Sequence, residues 1–111
     1  MKAPFVKGEV VVLPFPFSDL SQSKRRPALV LAVLPGDDLI FCMITSQATR
    51  EADAIALLSR DFAQGGLPRP SYLRPTRLFT GDGRLVTRSA GRVTATKLAQ
   101  VVAAVVAIIS R

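Results

Sequence analysis

The chain contains no histidine and a single cysteine, and this decides which chemistry its side chains can perform. Histidine is the commonest acid–base group at neutral pH, and histidine and cysteine supply most zinc ligands. The carboxylates are scattered, and the adjacent pair Asp37 and Asp38 lies in PGDD, a turn-forming sequence. We therefore expect no metal site and no cofactor, so any reaction must use Arg, Lys, Ser, Thr, Tyr72 or isolated carboxylates.

Cations stand out at one place, SKRRPALVLAVL, where two arginines and a proline lead directly into an apolar run. The whole chain carries 15 Lys and Arg against 8 Asp and Glu, a formal net charge of +7. Such an excess favours an anionic partner, either nucleic acid or an acidic protein. The alternative is an ordinary solvated surface, in which Arg25 and Arg26 are cations flanking a strand and Thr45 satisfies a strand end.

The first half of the chain predicts three strands that position these residues. GEVVVLPF, from Gly8 to Phe15, is β-branched and bounded by Gly and Pro, and PFSDLSQSKR after it is typical of an exposed loop. Pro27–Leu34 and Leu39–Thr45 are apolar runs joined by PGDD, a β-hairpin pattern. Because these runs are apolar on both faces, they favour a small barrel packed under a helix.

The second half predicts further strands. Ile55–Leu58 is a candidate strand, and Gly65 and Gly66 indicate a loop. SYLRPTRLF and RLVTRSAGRV bracket TGDG, whose Asp-Gly predicts a tight turn and hence another hairpin. The prediction is a total of five to seven short strands.

The end of the chain predicts one helix. Thr94 is a candidate N-cap, and ATKLAQVVAAVVAIIS places a set of apolar residues on one helical face. The apolar part is too short to cross a bilayer, which needs about 20 residues, so we expect a core helix. Residues 1–111 are then one mostly β domain with a C-terminal helix, in which Cys42 is buried. The predicted helix face consists of Leu98, Val101, Val102, Val105, Ile108 and Ile109.

Several stretches together resemble the PemK/MazF family of toxin–antitoxin ribonucleases over essentially the whole chain. They are GEVVVLPFPFSDLSQSKRRPALVL, MITSQ, GGLPRPSYLRPTRLFT and GRVTATKL, in this order and spacing. The resemblance implies a small SH3-like barrel that works as a homodimer and cuts single-stranded RNA without a metal. It also implies a type II toxin that is inhibited by a cognate antitoxin.

The resemblance carries residue roles onto this sequence. The family arginine before the proline and the threonine ending the third strand correspond to Arg26 and Thr45, which are the expected catalytic pair, with Ser46 in support. Some family members have a glutamate as general base five residues before the arginine, where this chain has Ser21. Asp19 is the nearest carboxylate that could replace it, and Ser21 is, like Ser46, a candidate support group. The expected RNA-binding residues are Lys24, Arg25, Tyr72 and Arg74.

Two other functions fit the same sequence. A non-catalytic nucleic-acid-binding barrel needs only the basic charge, and a gyrase-directed toxin shares the fold class. The RRP and ITS sequences favour the ribonuclease over the gyrase-directed toxin. MKAPFVKGEV has no apolar segment of a signal peptide, so we expect a cytoplasmic protein without membrane association.

Overall fold

The computed structural model describes residues 5–15, 24–47 and 49–111, which form one antiparallel sheet and one C-terminal helix. The sheet is a curled half-barrel of seven strands, in agreement with the mostly β fold predicted from the sequence. The loop expected at PFSDLSQSKR falls largely on residues 16–23, outside the described residues. The elements are β1 (Glu9–Phe15), β2 (Lys24–Val33), β3 (Asp38–Thr45), β4 (Ile55–Leu57), β5 (Phe62–Gly65), β6 (Ser71–Asp82), β7 (Arg88–Val93) and α1 (Ala95–Ser110).

The strand order is β4-β6-β3-β2-β1-β7-β5. The β2–β3 hairpin and the short strand at Ile55 are as predicted. The hairpin predicted around TGDG is wrong, because β7 pairs with β1 and β5 and not with β6. After β6, Asp82 accepts a hydrogen bond from the Arg84 backbone N–H at 2.8 Å, and Gly83 donates to the Asp37 carbonyl at 2.7 Å. These bonds stabilise the 3₁₀ turn Gly83–Leu85, and β7 after this turn pairs with β1.

Buried apolar side chains cover both faces of the sheet, as expected from strands that are apolar throughout. One cluster, which includes Leu29 and Leu73, packs against α1. The other includes Leu13 and Phe41 and is covered in part by Phe79, whose ring stacks on Phe41 at a centroid distance of 4.9 Å. Cys42 is buried as predicted, and its burial raises the pKa of the thiol to about 12.

Helix α1 begins as the sequence predicts, with the Thr94 hydroxyl oxygen accepting a hydrogen bond from the Lys97 backbone N–H at 3.1 Å. Of the predicted apolar face, Val101 is fully buried and Leu98, Val102 and Val105 pack against the core. Ile109 is different, because it is 73% exposed. In the described ranges, no helix has the length and apolar character needed to span a membrane.

Candidate functional site

A groove of about 470 Å³ opens at one end of the sheet, where β1, β2 and β3 meet the segment that leads into β6. Strand pairing explains why distant residues meet there: Val12 on β1 lies opposite Pro27 on β2 and Arg88 on β7. We call this surface the basic groove. It is lined by Val12, Arg25, Arg26, Pro27, Ile44, Thr45, Ser46, Leu67, Pro68, Arg69, Ser71 and Arg88.

Arg26 and Thr45 both line the basic groove, although they are 19 positions apart in the chain. Ala28 on β2 pairs with Met43 on β3, and the same antiparallel register continued by two residues brings Arg26 opposite Thr45. The Nε atom of Arg26 is buried. The two residues therefore belong to one site.

The hydroxyl of Thr45 is oriented by the turn that follows β3. Its oxygen accepts a hydrogen bond from the Gln47 backbone N–H at 3.2 Å. A threonine hydroxyl also has one hydrogen to donate, and this proton is available to an oxygen atom bound in the groove. Ser46 adds a second hydroxyl-bearing residue to the lining.

The charge of the basic groove is positive throughout its described lining. Four arginines contribute to it, and none of the lining residues is an acid. Clustered cations in a cleft attract anions and raise their local concentration. Arginine is also suited to phosphate, because its planar guanidinium can donate two parallel hydrogen bonds to two oxygens. The arrangement can bind a phosphodiester and stabilise negative charge that develops on it.

Three polar residues of the groove were missed from the sequence: Arg69, Ser71 and Arg88. Arg69 lies between Pro68 and Pro70, which restrict the backbone, and its side chain is exposed. This Pro-Arg-Pro sequence could have identified Arg69 as a candidate site residue. Arg88 gave no comparable signal, because only the pairing of β7 with β1 brings it to the groove.

Three of the expected RNA-binding residues lie outside the groove lining. Lys24 is exposed at the start of β2, and Tyr72 is half-buried on β6 opposite Thr45. Arg74 forms an ion pair with Glu51, and its Nε donates to the same carboxylate at 2.7 Å. This hydrogen bond is the main reason why the pKa of Glu51 is lowered.

Only one of the residues expected to act as the general base or to support it is found in the groove lining. Of the three residues expected in these roles, Ser46 lines the groove, whereas Asp19 and Ser21 lie outside the described residues. Among residues 5–15, 24–47 and 49–111, no group of three or more His, Cys, Asp or Glu side chains is placed to hold a metal ion.

Comparison with solved structures finds the same fold in several toxins. An endoribonuclease from a mycobacterial species, solved in complex with its cognate antitoxin, matches with a TM-score of 0.73 at 16% identity, over 99% of this chain and 96% of that chain. A MazE-MazF structure from Deinococcus radiodurans matches with a TM-score of 0.71 at 23% identity, over 94% of each chain. The Mycobacterium tuberculosis toxin MazF-mt6 matches with a TM-score of 0.72 at 15% identity, over 92% of this chain and 96% of that chain.

At sequence identities of 16% and 23% these structures establish the fold alone. A comparison with curated protein sequences finds no match. The family comparison is more direct. A family model described as PemK-like, MazF-like toxin of type II toxin-antitoxin system matches residues 6–109, nearly the full length. This chain therefore belongs to the PemK-like, MazF-like toxins of type II toxin–antitoxin systems.

Proposed function

We propose that this toxin is an endoribonuclease that cleaves single-stranded RNA at specific sequences by attack of the RNA's own 2′-hydroxyl, without a metal ion. The observation that carries the proposal is the convergence of Arg26 and Thr45 in one groove that is cationic along its described lining. The solved endoribonucleases that share this fold support it.

In the proposed reaction, the 2′-hydroxyl loses its proton to a general base and its oxygen forms a bond to phosphorus, while the bond from phosphorus to the 5′-oxygen breaks and this oxygen takes a proton from water. The products are a 2′,3′-cyclic phosphate and a 5′-hydroxyl. A pentavalent phosphorane with additional negative charge lies between these states. Arg26 donates hydrogen bonds to the non-bridging oxygens, and these bonds strengthen as the charge grows. The Thr45 hydroxyl donates a hydrogen bond to one of these oxygens, while its own oxygen accepts from the Gln47 backbone N–H.

The general base that takes the 2′-hydroxyl proton is not among the described residues of the groove. Asp19 is our candidate, with Ser21 as a supporting group, because both precede β2 and its arginine. The decisive comparison is the rate of Asp19→Asn against that of Ser21→Ala over a range of pH. Loss of the acidic limb of the pH–rate profile in Asp19→Asn alone would identify the base.

The function is tested by incubating the purified protein with mixed-sequence RNA, with and without EDTA, and mapping the new ends. We expect cleavage in both conditions, a 5′-hydroxyl on the downstream product and a recurrent sequence at the cut. Loss of activity in EDTA that magnesium restores would refute the metal-independent mechanism. Binding without any cleavage would instead favour the non-catalytic nucleic-acid-binding barrel, and gyrase inhibition without RNA cleavage would favour the gyrase-directed toxin.

We further propose that the toxin acts as a homodimer in the cytoplasm and is inhibited by a cognate antitoxin. The structures solved with an antitoxin bound support the existence of such a partner. An acidic antitoxin segment would match the net charge of +7 and the arginines of the basic groove.

A further inference from the structure

We propose that Arg69 and Arg88 form a second phosphate subsite in the basic groove, which holds the phosphate of the nucleotide next to the cut. We call these two residues the phosphate pair. The inference rests on the proposed ribonuclease function and adds a substrate requirement to it: productive binding needs at least two phosphates. The scissile phosphate is bound by Arg26 and Thr45, and the neighbouring phosphate is bound by the phosphate pair.

Both members of the phosphate pair line the groove, yet they come from different elements. Arg88 begins β7, and Arg69 lies in the segment between β5 and β6. The last pair between β5 and β7 is Gly65 with Gly91. Gly66 continues this course, since its backbone N–H donates to the Ala90 carbonyl, and beyond it Arg69 and Arg88 line the same groove.

The segment that carries Arg69 is fixed at both ends. Before it, the Gly66 backbone N–H donates to the Ala90 carbonyl at 3.0 Å. After it, the buried hydroxyl of Ser71 donates to the Arg69 carbonyl at 3.0 Å. Pro68 and Pro70 restrict the backbone on either side. Arg69 is therefore presented with little backbone freedom to lose on binding, which favours affinity.

The charges around the phosphate pair indicate that its ligand is an anion. Arg74, Arg84 and Arg111 each form an ion pair with a carboxylate elsewhere on the surface. Arg69 and Arg88 have no side-chain hydrogen bond or ion pair with any described residue, and both are exposed. Two neighbouring cations repel each other, and a bound phosphate would relieve this repulsion while accepting hydrogen bonds from both.

The distance of the phosphate pair from the catalytic residues also follows from the sheet. Arg88 lies opposite Val12, which in turn lies opposite Pro27, the residue after Arg26. One strand, β1, thus separates the phosphate pair from the strand that carries Arg26. Two strand spacings, about 10 Å, therefore separate the backbones of β7 and β2, so a chain crossing the groove can present one phosphate to Arg26 and the next to the phosphate pair.

The test measures RNA binding as a function of salt in Arg69→Gln, Arg88→Gln and the double variant. The probe is a short RNA containing the mapped cut site with 2′-deoxyribose at the attacking position; if no cut is found, the intact mixed-sequence RNA is used. Each phosphate contact to a single strand contributes about 0.7 to the slope of log K against log salt. We expect the double variant to lose a slope of about 0.7 and to bind about tenfold more weakly at low salt.

Two control variants each remove one arginine charge outside the groove, and the two combined match the double variant. Arg92→Gln changes an exposed arginine of β7, and Arg60→Gln changes an exposed arginine of the 3₁₀ turn Ser59–Asp61, which precedes β5. Both should keep the wild-type slope. The charge-conserving variant Arg69→Lys with Arg88→Lys should restore the slope, which a merely misfolded groove would not do.

A dinucleotide with one phosphate provides the second readout, since it should bind equally to the wild type and to the double variant. An unchanged slope in the double variant would overturn the proposal, even if its affinity for an acidic polypeptide fell. A loss of affinity for one RNA sequence only, with an unchanged salt slope, would also overturn the proposal, because that pattern indicates that the arginines contact bases and not phosphates. If the double variant loses slope but the wild type cleaves no RNA, the phosphate subsite is supported and the ribonuclease function is refuted. If the wild type cleaves RNA but the double variant keeps the wild-type slope, the ribonuclease function is supported and the phosphate subsite is refuted.

Discussion

Identical residue types have different roles in this molecule because their neighbours differ. Arg26 lies in a groove with Thr45 and other arginines, whereas Arg74 lies on the same sheet but is paired with Glu51. The Glu51 carboxylate also accepts a hydrogen bond from the Thr76 hydroxyl at 3.1 Å, so it links two side chains of β6. In the proposed function Arg26 binds the substrate, whereas Arg74 holds the segment before β4 against β6.

Replacement of Arg26 by alanine should lower the cleavage rate about a hundredfold or more, because charge stabilisation in the transition state is lost. Arg26→Lys should restore only part of the rate, since an ammonium group lacks the planar fork. Single-turnover cleavage of the mapped RNA measures both. Arg60→Ala is the matched control, because Arg60 is not part of the groove lining. The neighbouring Arg25 is unsuitable as a control, since it lines the groove itself. An unchanged rate in Arg26→Ala would exclude this residue from the catalytic site.

Replacement of Glu51 by glutamine should lower the stability near neutral pH without altering cleavage. Arg74 lowers the pKa of Glu51 in the folded state, so the contribution of this carboxylate is present above its unfolded pKa. It is lost as the pH falls through the lower, folded pKa. Urea midpoints of the wild type and Glu51→Gln should therefore differ at pH 7 and converge in acid. Midpoints that differ equally at both extremes would contradict the assignment.

At the scale of elements, the contact between β5 and β7 shapes one side of the groove. The two strands meet at Gly65 and Gly91, both with positive φ. A Cβ on Gly65 would overlap the carbonyl oxygen of Ala90, so only glycine permits this approach. The contact lies directly before the segment that presents Arg69.

Gly65→Ala should therefore destabilise the protein more than Gly36→Ala does. Both glycines have similar dihedral angles, with φ of 71° and 78°, and each variant loses about 1–2 kcal/mol from the left-handed conformation. Gly36 has open space around its Cβ position, whereas Gly65 must move its neighbour, at a further cost of roughly 1–3 kcal/mol. Denaturant titrations of the two variants measure the difference. Equal losses would show that the strands can separate freely.

At the scale of the whole molecule, an apolar surface lies away from the basic groove. A second groove of about 290 Å³ runs between α1 and the sheet and includes Leu31, Leu78, Val102, Val106 and Ile109. Val106 is 53% exposed, and Ile109 is more exposed still. Contiguous apolar surface of this kind typically marks an interface, and we expect the second protomer to cover it. The basic groove would then remain open for RNA.

Ile109→Asp should dissociate the homodimer, because a carboxylate would be buried in an apolar interface. Light scattering at micromolar concentration should give a dimer for the wild type and a monomer for Ile109→Asp. Ala107→Asp, an exposed position of the same helix outside the apolar groove, should remain dimeric. A monomeric wild type at this concentration would refute the proposed homodimer.

The antitoxin should compete with RNA, and its inhibition should weaken as the salt concentration rises. Carboxylates in the basic groove would occupy the phosphate sites and cancel the positive field that attracts RNA. Competition titrations with labelled RNA at several salt concentrations measure both effects. An antitoxin that left RNA affinity unchanged, or bound independently of salt, would act by another mechanism.

The sequence alone was sufficient for the features that depend on local order. Short apolar and β-branched runs bounded by Gly and Pro predicted β1, β2 and β3, and Thr94 with the apolar spacing after it predicted α1, because strand composition, helical periodicity and capping depend on near neighbours. The lack of histidine and the scattered carboxylates limit the chemistry through composition alone. Arg26 and Thr45 became candidates through the family resemblance, since neither residue is distinctive alone.

Only the tertiary structure decided which distant residues share the groove. The Asp-Gly in TGDG predicted a hairpin, yet β7 pairs across the sheet with β1, because strand partners are chosen by burial of whole faces and not by one turn. This pairing brings Arg88 to the groove, and the close contact of Gly65 with Gly91 brings Arg69 beside it. The ion pair of Arg74 with Glu51 likewise joins residues 23 positions apart. Long-range pairing leaves little trace in local sequence, because the partners are set by how the completed sheet packs.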